Sequence, residues 1–148
     1  MLRSFARHSC RPLAAALLAA TLAVAAPAFA GSTPAPEGVE LYFITPTDGA
    51  TVSSPVAVRF GLRGMGVAPA GVEAPRTGHH HLIVNAPLPP MDQPVPAGEQ
   101  HIHFGAGQTE TRVDLPPGKH ELQLLLGDHL HVPHDPPVVS ERITITVE

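Results

Sequence analysis

Apolar and polar residues alternate along much of the chain, and residues 56–63 give the clearest example. Every second residue there is large and apolar, while the residues between are Ala, Arg or Gly. Because successive side chains of a strand point to opposite faces, this pattern places the large apolar side chains on one face. Alternation and short apolar runs predict strands at residues 39–44, 56–62, 80–85, 100–104, 112–115, 121–126 and 143–147.

Turn-forming residues separate these strands, as in Pro46-Thr47-Asp48-Gly49 and Pro116-Pro117-Gly118. No stretch after residue 30 has apolar residues at helical spacing. Since parallel strands need long crossover connections, usually helices, antiparallel pairing is favoured. We therefore predict an all-β domain at residues 39–148, a single antiparallel immunoglobulin-like β-sandwich of about seven strands.

The first 30 residues have the pattern of a secretory signal peptide. Three arginines and no acids precede an apolar run at residues 13–26, and Ala28-Phe29-Ala30 forms a small-residue cleavage site. The run is shorter than the roughly 20 residues of a membrane-spanning helix, and no later stretch approaches that length. We expect cleavage after Ala30, export to the periplasm or the medium, a flexible lead-in at residues 31–38 and no integral membrane segment.

Cleavage changes the charge of the chain. It removes three of the 9 Lys and Arg residues and none of the 13 acidic residues. The acidic surface that remains would repel nucleic acid and anionic lipid and attract cations. Cys10, the only cysteine, lies in the predicted signal peptide, so we expect no disulfide or thiol chemistry in the exported domain.

Histidine is unusually frequent after residue 30. Nine of the 10 histidines lie there, and eight of them form three clusters, each containing a His-Xaa-His pair. The clusters are His79-His80-His81, His101-Ile102-His103 and His129-Leu130-His131-Val132-Pro133-His134. Residues two apart in a strand share a face and lie roughly 6.6 Å apart, which allows two imidazoles to bind one ion.

Side-chain direction selects among these histidines. In the second cluster the apolar residues take the core-facing side of the strand, which leaves both histidines on the other side. In the first cluster the alternation fits either face, and we favour the outer pair over His80. The third cluster is predicted to be a loop, where several side chains can turn toward one point. The candidate metal ligands are His79, His81, His101, His103, His129, His131 and His134.

Neutral imidazole suits copper(II) and zinc, so we expect a copper or zinc ion as the cofactor. Four acidic residues near the clusters could add a ligand or orient the rings. They are Glu99, Glu110, Asp128 and Asp135. His120 shares its parity with the leucines of its own strand, and we interpret it as a strand-edge or core histidine bonded to backbone.

Two function classes fit these features. In the first, the domain binds a divalent transition metal as a carrier, buffer or sensor. In the second, the histidines form a hydrogen-bonded structural network in a module that contacts another envelope protein. No nucleophile motif pairs a serine with a particular histidine and acid, so we do not expect an enzyme.

Four groups of motifs span residues 78–134. They are Gly78-His79-His80-His81-Leu82; His101-Ile102-His103-Phe104-Gly105 with Gly107-Gln108-Thr109-Glu110; Leu115-Pro116-Pro117-Gly118-Lys119-His120; and Gly127-Asp128 with His131-Val132-Pro133-His134. Together they resemble a bacterial secreted family known as domain of unknown function 4399. The resemblance covers nearly all of residues 39–148 and implies one compact exported domain without implying an activity.

Two looser similarities concern metal chemistry. The helix-free architecture and histidine ligands are similar to periplasmic copper-carrying β-sandwich proteins, although the methionine-rich segment of some copper(I) carriers is missing. The order of His101, His103, Glu110 and His120 resembles the ligand order of cupins, although six residues separate His103 from Glu110 where cupins have three or four. This third alternative, a cupin-like metalloenzyme, implies a closed barrel in which these four residues converge.

Overall fold

Nine strands form two sheets in the computed structural model, which describes residues 33–148. The strands are β1 (Glu40–Thr45), β2 (Thr51–Val52), β3 (Val56–Arg63), β4 (Gly66–Val67), β5 (Thr77–Val84), β6 (His101–His103), β7 (Glu110–Val113), β8 (Gly118–Gly127) and β9 (Ile143–Val147). The predicted signal peptide and its cysteine lie outside the described residues. No helix in the part that is described has the length and hydrophobicity needed to cross a bilayer.

The two sheets confirm the predicted all-β sandwich. The small sheet has the order β1-β3-β7, and the large sheet has the order β2-β9-β8-β5-β4, with β6 also pairing with β5. Each of the seven predicted strands has a counterpart among these nine. The two additional strands, β2 and β4, have two residues each and pair in parallel with β9 and β5. Two residues are too few to show an alternation, so the sequence pattern could not predict them.

The core lies between the two sheets. Apolar side chains alternate inward from β3, β8 and β9, as expected for strands with one buried face. The largest apolar side chains that are at most 1% exposed on this inner side are Leu82, Leu122, Leu124, Leu126 and Ile145. Burying each such side chain contributes roughly 1.5–3 kcal/mol, so this layer dominates the stability of the domain.

Strand β5 differs from the others because both of its faces are buried. All residues from Gly78 to Val84 are buried. The side chains of Leu82 and Val84 belong to the core between the sheets, whereas Ile83 belongs to a second apolar cluster with Ala86, Val95 and Leu125. The long connection between β5 and β6 therefore covers the outer face of β5, and His79 and His81 lie on that covered face.

The chain that follows β8 turns back along it. Gly127 pairs with Pro133, and Leu125 pairs with Val139, so residues 128–132 form the tip of this return. Val95 on the β5–β6 connection donates a backbone hydrogen bond to His131 O at 2.9 Å. The tip is thereby held against the outer face of β5.

Part of the predicted lead-in also contacts the domain. Ala35 N donates to Asp135 O at 2.9 Å, and Asp135 N donates to Thr33 O at 3.0 Å. Thr33 Oγ1 donates to the Asp128 carboxylate at 2.8 Å. Residues 33–35 are thus tied to the return segment that follows β8.

Candidate metal centre

The first two histidines of the centre come from β5. His80 points into the sandwich, where its ring lies 5.0 Å from the ring of Phe60. Because side chains alternate along a strand, His79 and His81 point to the opposite, outer face. Their ring centroids are 4.8 Å apart, so the two imidazoles lie side by side.

The third histidine comes from β6. His103 pairs directly with His81 in the antiparallel β5–β6 register, which places both side chains on the same face. The His103 ring centroid is 5.2 Å from that of His81 and 4.9 Å from that of His79. One ring nitrogen from each of these three histidines can be chosen so that all three lie within 4.8 Å of one another.

The fourth histidine comes from the tip of the return after β8. The ring centroid of His131 lies 4.7 Å from that of His103, 4.9 Å from that of His79 and 6.2 Å from that of His81. We refer to His79, His81, His103 and His131 as the four-histidine cluster. All three histidine-rich segments of the sequence contribute to it.

Two glycines make room for these rings. Gly127 pairs with His79, and a Cβ atom at Gly127 would lie 2.7 Å from His81 Cε1. A Cβ atom at Gly105 would lie 2.7 Å from His103 Nε2. Real Cβ contacts are longer than this, so any larger residue at either position would displace a ring. These two glycines are functional positions that side-chain patterns do not reveal; the available signal is that each directly follows an apolar residue, at a strand end or beside a histidine pair.

The buried rings lack hydrogen-bond partners. His79 is 0% exposed and His81 is 1% exposed, and neither ring has a hydrogen-bond partner for its Nδ1 or Nε2 atom within residues 33–148. A buried polar atom without a partner costs about 1–3 kcal/mol, and such atoms are rare in native proteins. Each neutral ring has one nitrogen with a free lone pair, and a cation bound between the rings would satisfy that nitrogen on each ring, so the residues present fit a metal ion.

The environment keeps the rings neutral, which is the form that binds metals. Desolvation lowers the pKa of His79 to about 4 and that of His81 to about 3, and the charges of neighbouring histidines act in the same direction. Asp128 partly opposes this shift in the pKa of His79. Desolvation and His131 also lower the pKa of His103.

One side of the cluster reaches solvent. His103 is exposed and His131 is half-buried, whereas the two β5 histidines are covered. In a tetrahedral zinc site the ligating nitrogens lie roughly 3.3 Å apart, as follows from zinc–nitrogen bonds of about 2.0–2.1 Å. The nitrogens of His79, His81 and His103, which lie within 4.8 Å of one another, would therefore have to move closer together to bind such an ion.

Three of the seven candidate ligands lie outside the cluster. His101 lies two residues before His103, at the start of β6, and pairs with Ile83. His129 is half-buried in a cleft that Glu73 and Thr77 also line. His134 is buried, with Nε2 3.3 Å from Thr77 O and Nδ1 3.5 Å from Leu126 O.

His80 and His120 occupy different surroundings. His80 Nδ1 lies 3.3 Å from Gln108 O, while its buried Nε2 has no hydrogen-bond partner within residues 33–148. His120 Nε2 lies 2.8 Å from Pro116 O, and its Nδ1 lies 2.9 Å from Asn85 Nδ2. These distances give a neutral His120 ring that donates to the carbonyl and accepts from the amide, in agreement with the interpretation of this residue as one bonded to backbone.

The cupin alternative is wrong. The described strands form two open sheets and no closed barrel, so the four residues that it requires cannot converge in a barrel interior. Glu110 lies on the small sheet and pairs with Arg59 at 3.4 Å. His120 is bonded to Pro116 and Asn85, and His101 and His103 lie on β6 of the large sheet.

The acidic residues near the clusters have other partners or other positions. Asp128 is 3% exposed, and its carboxylate accepts hydrogen bonds from two backbone amides and from Thr33. Asp135 and Glu99 are exposed. Of the four, Asp128 alone acts on the cluster in the part of the chain that the structure describes, through the backbone on either side of His131.

Comparison with known proteins gives a family but no activity. The family model described as Domain of unknown function (DUF4399) matches residues 58–148, from β3 to the end of the chain, and so includes the whole four-histidine cluster. Among curated proteins and among solved structures, none matches. The similarity to copper-carrying β-sandwich proteins thus stays a prediction.

Proposed function

The chain belongs to the DUF4399 family, and from the geometry of its four-histidine cluster we propose that it binds a divalent transition metal, copper(II) or zinc. His79, His81 and His103 are the core ligands, and His131 is the fourth. The ring nitrogens would bind the ion through their lone pairs, and the backbone of β5, β6 and the return after β8 sets the distances between the rings.

The absence of hydrogen-bond partners on the buried rings is the observation that carries this proposal. A structural histidine network would give each buried ring nitrogen a partner, as happens at His120. Throughout residues 33–148, by contrast, the ring nitrogens of His79 and His81 have none. A metal ion would take one nitrogen of each ring as a ligand and so offset the cost of burying two of these four atoms, whereas a structural role leaves all four without compensation.

The ligand chemistry favours copper(II) or zinc. Imidazole nitrogen suits both ions, while the hard cations calcium and magnesium prefer oxygen ligands. The chain has one cysteine, at position 10, so thiolate is not available from residues 33–148. The lowered pKa values of the buried rings keep lone pairs available below neutral pH.

We propose a binding role, as a carrier, buffer or sensor, rather than a catalytic one. The exposed edge at His103 suits ligand exchange, because an incoming donor can reach the ion from that side. The predicted signal peptide supports action in the periplasm or the medium.

Titration of the purified protein with copper(II) and with zinc tests the proposal. A metal that binds only the folded state should stabilise it by about 2.7 kcal/mol at a hundred times its Kd, measured by thermal unfolding. His103→Ala should reduce affinity strongly, whereas His101→Ala is the matched control on the same strand and should leave it unchanged. Equal affinities for these two variants, or no stabilisation by either metal, would contradict the proposal.

A further inference from the structure

We infer that Asp128 is the positioning residue that holds His131 in place as the fourth ligand of the proposed metal site. This inference rests on the proposed function. It concerns a residue that does not touch the ion but sets the backbone from which one ligand projects.

Both carboxylate oxygens of Asp128 accept hydrogen bonds. Its Oδ1 atom accepts hydrogen bonds from Leu130 N at 2.9 Å and from Val132 N at 3.0 Å. Its Oδ2 atom accepts one from Thr33 Oγ1 at 2.8 Å. These two amides flank His131 in the chain, so the carboxylate fixes the backbone on both sides of that histidine.

The backbone of Asp128 closes the same loop. Asp128 N donates to Val132 O at 2.8 Å, and His131 N donates to Asp128 O at 2.9 Å. His131 has a φ of 69°, in the left-handed region that residues other than glycine rarely adopt. Such a conformation persists only where the surroundings impose it, and here Asp128 supplies most of the bonds that do so.

His131 depends on this loop in a way that the other three ligands do not. His79, His81 and His103 project from strands β5 and β6, whose pairing fixes their separation. His131 projects from the tip of the return, where there is no strand. Loss of the carboxylate should therefore release His131 alone and convert a four-histidine site into a three-histidine site.

Copper(II) binding, with electron spin-echo spectroscopy to count the coordinated imidazoles, tests this inference. Wild type should bind with four imidazoles, and Asp128→Ala and His131→Ala should each bind with three. Affinity should fall by about 10- to 100-fold in Asp128→Ala, the usual effect of losing a residue that orients a ligand. The loss should be at least as large in His131→Ala, which lacks the ligand itself. In the double variant the two losses should not add, because both act through the same ring.

Two further variants separate positioning from charge and from general stability. Asp128→Asn keeps an oxygen that can accept from Leu130 N and Val132 N, so it should bind within about threefold of wild type. Asp48→Ala is the matched control, since Asp48 Oδ1 accepts a backbone hydrogen bond from Thr144 N at 2.7 Å at the opposite end of β8. It should leave both the affinity and the imidazole count unchanged.

The outcomes distinguish this inference from the proposed function. No copper binding by wild type would overturn the proposed function. Binding by wild type with His131 uninvolved, additive losses in the double variant, or equal losses in Asp128→Ala and Asp128→Asn would overturn the inference alone. If Asp128→Ala is unfolded without metal, Thr33→Val replaces it. This variant should lose about threefold in copper(II) affinity, and the loss should disappear when His131 is also replaced by Ala. No loss of affinity in either background would overturn the inference.

Discussion

The two ends of the β5–β8 strand pair differ in whether the ring nitrogens of their buried histidines have hydrogen-bond partners. At one end, both ring nitrogens of His120 have partners, Pro116 O and Asn85 Nδ2. At the other end, the buried rings of His79 and His81 have no partner within the described part of the chain. Burial alone therefore does not identify a ligand. Within residues 33–148, His79 and His81 lack partners at both ring nitrogens, whereas the buried His80 lacks one only at Nε2.

The backbone accounts for part of this contrast. Asn85 has a positive φ of 53° and its N donates to Glu121 O. Glu121 N donates in turn to Asn85 Oδ1, which orients the Asn85 amide toward His120. At the opposite end, Gly127 faces His79 and offers no side chain at all. One end of the strand pair therefore provides the Asn85 side chain as a hydrogen-bond partner, and the other end has a glycine that leaves room for the histidine rings.

Loss of metal binding is the largest effect expected from this contrast. Replacing both His79 and His81 with Leu should lower copper(II) or zinc affinity by a factor of at least about 1,000, because two ligands are lost. His120→Gln should leave the affinity within about threefold of wild type. Isothermal titration calorimetry measures both, and similar losses in the two proteins would contradict the distinction between the ends.

Acid should destabilise the metal-free protein because His79 and His81 bind protons less readily in the folded state than in the unfolded state. The pKa values of His79 and His81 lie near 4 and 3 in the folded state, below the ordinary 6.5, so the unfolded chain binds more protons between these values. The free energy of unfolding should then fall by at least about 3 kcal/mol as pH decreases from 6.5 to 4. Full stability should be present above pH 6.5.

Other groups also titrate in this pH range, so the relevant quantity is the difference in unfolding free energy between the wild type and a variant that lacks the two rings. Urea unfolding of the wild type is compared with that of the His79→Leu/His81→Leu variant at each pH. The variant should lose less stability on acidification. Identical pH dependence in the two proteins would show that these rings are not held neutral by the fold.

Leucine substitutions at single positions should change stability in opposite directions at the two ends. His81→Leu removes two unsatisfied buried nitrogens and should stabilise the metal-free protein by about 1–2 kcal/mol. His120→Leu leaves Pro116 O and Asn85 Nδ2 without their partner and should destabilise it by about 1–3 kcal/mol. Urea unfolding in the presence of a chelator measures both changes, and changes of the same sign would contradict the comparison.

The smallest expected effect concerns the space beside the rings. Gly127→Ala should reduce metal affinity by about tenfold, since its Cβ atom would displace the buried His81 ring. Gly98→Ala is the matched control, because a Cβ atom there would meet nothing within 4 Å. Affinity unchanged in Gly127→Ala would mean that the position of the His81 ring does not matter for binding.

The sequence predicts the strands well and the cluster only in part. Alternation identifies the inward faces, and it indicates that His79 and His81 share one side of β5. Alternation gives the same side to His101 and His103, yet His103 pairs with His81 while His101 pairs with Ile83. The register between β5 and β6 decides this difference, and local sequence does not specify the register.

Local sequence also does not predict that His131 joins the cluster. The third cluster offered three histidines in a predicted loop with no parity to choose among them. The choice depends on the left-handed φ of His131 and on the hydrogen bonds to Asp128, which form only once β8 and the return segment are in place. The Gly127-Asp128 pair at the end of an apolar strand is the signal that could have indicated an ordered turn there.

X-ray absorption spectroscopy at the metal edge of the one-to-one zinc complex tests the central claim most directly. We expect three or four nitrogen neighbours at about 2.0–2.1 Å, with the multiple-scattering pattern of imidazole. In the His79→Leu/His81→Leu variant that imidazole pattern should be lost or reduced to at most two rings. A wild-type shell of oxygen atoms without imidazole would contradict the claim that the unsatisfied rings on β5 are metal ligands.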